Sequence, residues 1–149
     1  MRLNELLLEK GEPPTYYFAY GMLTDPKIMG GFDLVGIGEL RNFAFELAGF
    51  ANVVPTPGER VLGSLWIINR NALGQLDQVE GYPHFYDRKS LPVYVDNIKY
   101  EAFVYMMRPD SRDMLAGRKP KVKYVQSIRR GYKHAGIPLD QLKIAQAAL

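Results

Sequence analysis

The chain has 149 residues, of which 47% are apolar, and a formal net charge of +3. That is the size of one ordinary domain, here residues 1–149, and the seventeen Phe and Tyr supply enough bulk for a sizeable core. The absence of cysteine excludes a disulfide framework, a zinc–thiolate site and a Cys nucleophile, and His84 and His134 alone leave few parts for metal or Ser-His-Asp chemistry.

The opening MRLNELLLEKGE interrupts its leucines with Glu5, Glu9 and Lys10 and does not end in a small-residue cleavage site. No apolar run reaches the roughly eighteen residues that a membrane span needs, so a cytoplasmic protein that stays off the membrane is expected. Asn4 can cap a short helix through about Lys10, which Gly11, Pro13 and Pro14 would end. The aromatic run Tyr16 to Tyr20 then reads as a strand stopped by Gly21. Asp25-Pro26 reads as the start of a short helix, with Asp at the cap and Pro in the first position. Phe43 to Leu47 and Val61 to Ile68 have strand patterns. Asn71 to Glu80 fits a short helix with Asn71 as cap and Leu73, Leu76 and Val79 spaced by three.

Strands are expected again at Arg88 to Val95 and Tyr100 to Met107, joined by the turn signal Asp96-Asn97. Val122, Val125, Ile128 and Tyr132 form a helical stripe, Gly136 and Pro138 punctuate it, and Leu139 to Leu149 begins a last helix. Arg118 to His134 holds seven Lys or Arg and no Asp or Glu, which makes either a solvated helix face or an anion-attracting patch. A mixed, mostly antiparallel and strongly curved or closed sheet with helices at its sides accommodates this order.

Three features carry chemistry. The strand ending at Tyr20-Gly21-Met22-Leu23 runs into a turn whose backbone N–H groups could hold a carboxylate or phosphate, though a simple turn would look the same. Leu76-Asp77-Gln78-Val79-Glu80-Gly81 puts Glu80 at the end of a helix, where the partial negative charge raises a carboxylate's pKa toward general acid–base work. A surface glutamate could also stand there. Among ten tyrosines, Tyr86 follows that turn closely and Tyr124 sits in the basic run, where both could line a pocket.

In their order, Tyr20-Gly21-Met22-Leu23, the Leu-Asp-x-x-Glu-Gly segment and the following Tyr86 resemble the γ-glutamylcyclotransferase family and the AIG2-like group. The tail, Lys119-Pro120-Lys121-Val122-Lys123-Tyr124 followed by Gly131 and Gly136-Ile137-Pro138-Leu139, is similar to the C-terminal pattern of the glutathione-pathway cyclotransferases. The resemblance spans about residues 16 to 145. It implies an α+β fold: a curved, six-stranded, β-barrel-like sheet with flanking helices and a cavity at one end. It carries over Glu80 as catalytic acid/base, Tyr20, Gly21, Met22 and Leu23 as the substrate-holding loop, and Tyr86 and Tyr124 as cavity tyrosines. Met22 stands where the family usually has Ser, so a hydroxyl contact is replaced while the backbone donors remain.

The implied reaction folds a γ-glutamyl group onto its own α-amine and releases 5-oxoproline with an amine or amino acid. It needs no metal and no cofactor, because both reacting groups belong to one molecule. The expected partner is a small γ-glutamyl substrate, in a monomer or a homodimer. Met22 and the basic tail could shift the leaving group toward an amine. The alternative is a catalytically silent cavity protein that binds an anionic ligand or nucleic acid, although no aromatic-basic nucleic-acid motif appears.

Overall fold

The computed structural model describes residues 13–149, and the helix expected over residues 4 to 10 lies outside them. Five strands form a closed barrel in the order β1-β3-β2-β4-β5, where β1 is Thr15–Ala19, β2 Asp33–Ala48, β3 Phe50–Ile68, β4 Tyr86–Val95 and β5 Ile98–Met107. All neighbours are antiparallel except the closing pair β1 and β5, matched at Tyr16 with Ala102 and Tyr17 with Phe103. Among the described residues four α-helices flank the barrel: α1 (Arg70–Glu80), α2 (Pro109–Leu115), α3 (Val122–Ala135) and α4 (Asp140–Ala147).

The strand count is five rather than the six expected. Phe43 to Leu47 and Val61 to Ile68 are only the apolar cores of β2 and β3, which run for 16 and 19 residues. Pairing jumps from Arg41–Arg60 to Phe43–Pro55, and residues 56–59 bulge outward with Gly58 N donating to Asn42 Oδ1 at 3.0 Å. The bulge bends β3 without ending it.

Strand alternation sorts side chains into two layers. Phe18, Leu40, Val61, Leu65, Val93 and Val104 come from all five strands into one buried cluster, closed by Ile128 and Tyr132 of α3 and Leu142 of α4. Their neighbours on the opposite face, including Tyr17, Trp66, Ile68 and Tyr105, pack with Ala72 of α1 in a second cluster. Asp96 and Asn97 both take positive φ, 49° and 64°, in the tight turn their identities favour.

Two helix starts differ from expectation. The cap of α1 is Asn69, whose side chain accepts from Ala72 N at 2.7 Å, because Asn71 is already inside the helix. Asp25-Pro26 begins a turn rather than a helix: Asp25 Oδ1 accepts from Lys27 N at 2.9 Å, and the chain leaves helical geometry before Phe32. Asp25 is instead drawn to α3. Among the described residues no helix is long and apolar enough to cross a membrane.

Candidate active site

β1 leaves the barrel at Ala19 and passes through Tyr20 and Gly21 into a single 3-10 turn, Met22–Thr24. The carbonyl oxygens of this segment are all occupied. Tyr132 Oη donates to Tyr20 O (2.5 Å), Thr24 Oγ1 to Gly21 O (2.8 Å), Asp25 N to Met22 O (3.3 Å), Trp66 Nε1 to Leu23 O (3.0 Å) and Ser64 Oγ to Thr24 O (2.8 Å). The N–H groups of Gly21, Met22 and Leu23, by contrast, have no acceptor among the described residues, and all three residues line one cavity. A backbone fixed through its acceptors with its donors open is a pre-organised anion-binding arrangement.

The far side of that turn rests on α3. A Cβ built on Gly131 would lie 2.6 Å from Thr24 Oγ1 and 3.2 Å from Met22 O, so only glycine allows the helix this close. One turn further on, His134 Nδ1 sits 2.9 and 3.0 Å from the two carboxylate oxygens of Asp25, which is 2% exposed. Tyr132 Oη is in turn held by Gln141 Nε2 at 2.9 Å.

Glu80 is the last residue of α1, and Gly81 takes the left-handed conformation (φ 65°) that ends the helix there. Tyr82 N returns to Asp77 O at 2.9 Å. The Asp77 side chain fastens this helix end to the barrel: Oδ1 accepts from Tyr105 Oη at 2.6 Å on β5, and Oδ2 pairs with the Arg88 guanidinium on β4. Glu80 itself forms no hydrogen bond or ion pair with any described residue. Burial pushes its carboxyl up to about 7, so the physical cause is desolvation rather than the helix end that the sequence suggests.

The cavity, about 700 Å³, brings together every residue singled out from the sequence: Tyr20, Gly21, Met22, Leu23, Glu80, Tyr86 and Tyr124. The last two meet at Ala51, where Tyr86 Oη donates to the carbonyl (2.6 Å) and the amide donates to Tyr124 Oη (2.9 Å). Tyr86 therefore spends its hydrogen on the protein, as Tyr20 does on Tyr105 O at 2.5 Å. Tyr124 accepts, and its own hydroxyl hydrogen has no acceptor among the described residues. Burial, with the nearby charge of Glu80 adding, pushes the Tyr124 phenol up to about 12, so it remains a donor at neutral pH. Burial first, then Glu80 among other neighbours, also raises Tyr17, Tyr20 and Tyr86.

Tyr17, Tyr105 and Phe50 also line the cavity, and the sequence reading did not single them out as site residues. The strand pattern marks Tyr17 and Tyr105 as ordinary barrel positions, and only their closing β1–β5 pairing places them together. Asp77 was visible in the same six-residue segment as Glu80, and its anchoring role needed β4 and β5 to be seen beside it. Among the described residues Glu80 is the only charged one lining the cavity, and Met22, Phe50 and Val79 stand 41%, 45% and 78% exposed at its edge.

Residues 17–125 match the family model described as gamma-glutamyl cyclotransferase, AIG2-like. The chain belongs to this family. A relative in Drosophila melanogaster, provisionally named gamma-glutamylcyclotransferase CG2811, is 25% identical over 137 residues, covering 87% of this chain and 83% of its own. The fold is shared with a solved gamma-glutamyl cyclotransferase at TM-score 0.76 and 21% identity, covering 91% of this chain and 88% of the other. An uncharacterized Homo sapiens protein, loc79017, superposes at TM-score 0.74 and 22% identity over the same shares.

Proposed function

We propose that this chain cyclises a γ-glutamyl group to 5-oxoproline, with Glu80 as general acid/base. The observation that carries the reading is a carboxylate, pushed up to about 7, in the same cavity as three backbone amides, all four without a partner among the described residues. Family membership and the name of the fly relative point the same way.

The α-carboxylate of the γ-glutamyl group finds no cation among the lining residues, so the Gly21–Leu23 amides receive it. Held there, the α-nitrogen folds toward the γ-carbonyl as a near-attack conformer. Ionised Glu80 takes a proton from the α-ammonium, and the freed nitrogen forms a C–N bond to the γ-carbon. The free hydroxyl hydrogen of Tyr124 serves the carbonyl oxygen as negative charge grows on it. The bond to the departing nitrogen then breaks. Two protons in all leave the α-nitrogen and two arrive on the released amine, with Glu80 as relay. A group near pKa 7 suits both halves of that transfer at neutral pH.

The remaining cavity wall is largely apolar, with Phe50, Phe85, Leu76 and Val79, and its polar side chains, Gln78, Tyr17 and Tyr105, carry no positive charge, which favours a leaving amine without its own carboxylate. An amino acid leaving group would place an unpaired anion against that wall. The test is to incubate the protein with γ-glutamyl-benzylamine and with γ-glutamyl-alanine and to follow 5-oxoproline by mass. Release from the benzylamide at the greater kcat/KM is the expected result. Failure to form 5-oxoproline from either compound, or from a wider γ-glutamyl panel, overturns the assignment. Equal rates overturn only the leaving-group preference.

A further inference from the structure

A second cavity, about 360 Å³, lies between the first half of α3 and the end of α4 and shares no lining residue with the cavity at Glu80. Its polar side chains are Lys119, Gln126, Arg129 and Gln146, and its apolar ones include Val122 and Val125. Leu149, the last residue of the sequence, also lines it, but no Asp or Glu among the described residues does, and the sequence has none between Asp113 and Asp140. Arg129 is under-satisfied. Its Nη2 reaches Gln146 Oε1 only at 3.4 Å, and its Nε is buried with no partner among the described residues.

A buried guanidinium N–H left without an acceptor is destabilising, and a bound ion or ligand that accepts from it removes that cost. Here such a partner has a definable chemistry. An oxyanion pairs with the planar guanidinium fork better than any neutral acceptor does, Lys119 adds a second positive charge, and the two amides add neutral donors. Beside these donors, Val122 and Val125 offer an apolar surface. The volume lies within the range of small-molecule sites.

We propose that this cavity is a second binding site, distinct from the one at Glu80, for a small organic oxyanion, a carboxylate or a phosphate carried on an apolar body. Arg129 is the anchor. The anion sits on its guanidinium, and the body of the ligand covers Val122 and Val125.

The experiment is an NMR titration of the full chain with inorganic phosphate, phenyl phosphate and benzoate, each against sodium chloride at matched ionic strength. Saturable shifts at the Arg129 Nε–H and at the side-chain amides of Gln126 and Gln146 are expected, with phenyl phosphate or benzoate tighter than bare phosphate. Whichever of those two binds tighter distinguishes a phosphate from a carboxylate source. Arg129→Gln should weaken binding about tenfold or more, the equivalent of one hydrogen bond to a charged group. Arg129→Lys should weaken it less, and Lys119→Gln, on the connecting segment, gives a variant that leaves the helix packing untouched. Both Arg129→Gln and Lys119→Gln should keep 5-oxoproline formation at the wild-type level. Shifts that chloride reproduces, or that survive Arg129→Gln unchanged in a folded protein, overturn the proposal.

Discussion

The two cavities are opposite in charge. Among the described residues, the one at Glu80 is lined by a single acidic side chain and no basic one, and the one at Arg129 by two basic side chains and no acidic one. In the first, the lack of a cation leaves burial unopposed, so the carboxyl rises toward neutrality and becomes able to exchange a proton. In the second, the planar guanidinium fork of Arg129 presents N–H donors and no acceptor, so that site suits a bound oxyanion. Leaving out a partner thus has two meanings. For an acid it makes a titrating group, and for an arginine it makes an anchor that an anion can use.

The sharpest way to break the contrast is Glu80→Gln, which keeps the shape and removes the proton acceptor. Turnover should fall by about 10²-fold or more while substrate still binds, measured as kcat and KM from 5-oxoproline release. The same variant tests the burial argument through stability. The folded carboxyl sits near 7 against an ordinary 4.5, so its neutral form is the one the fold favours. That contribution is complete below pH 4.5 and is lost as pH rises through 7, amounting to about 3 kcal/mol at most. Denaturant unfolding should therefore show Glu80→Gln more stable than wild type at pH 8 and no more stable at pH 4. A variant that is less stable at pH 8 would show that Glu80 has a stabilising partner.

Next in size is Gly131→Ala, which drives a methyl group into Thr24 Oγ1 and the back of the amide turn. Overpacking of this kind costs roughly 1–3 kcal/mol. Because the displaced atoms belong to the turn, kcat/KM should fall about tenfold, while Gly136→Ala at the end of the same helix should unsettle stability and leave kcat/KM unchanged. Smaller again is Phe50→Lys, which puts a cation at the edge of the Glu80 cavity. The rising limb of kcat/KM against pH, expected near 7 in the wild type, should move down by up to about one unit. The mildest change is Met22→Ser, which leaves the backbone donors in place and should shift selectivity among γ-glutamyl compounds a few-fold, as a side-chain contact at the mouth would.

What the sequence made legible depended on whether the signal was local. Alternation and turn chemistry located all five strands, and spacing located α1, α3 and α4, because those patterns repeat within a few residues. Neither could see that β2 and β3 continue through a bulge, which is set by where two strands cross. Glu80 was legible because Gly81 fixes the helix end beside it, but the cause of its raised pKa was not, since burial is made by β1 and β5 arriving from elsewhere. Asp25 does cap the residues after it, through Lys27 N, but they form a turn and not a helix, and its second partner, His134, lies more than a hundred residues away, beyond any local signal. Tyr86 and Tyr124 look equivalent in the sequence, and only the direction of their bonds at Ala51 separates a strut from an available donor.

That junction at Ala51 has an evolutionary consequence. Both tyrosines are positioned by a peptide group, and so is any anion held by the Gly21–Leu23 turn, which means that mutation cannot alter the chemistry of these anchors, only the path of the chain. Divergence is then free to rewrite most side chains as long as the trace survives.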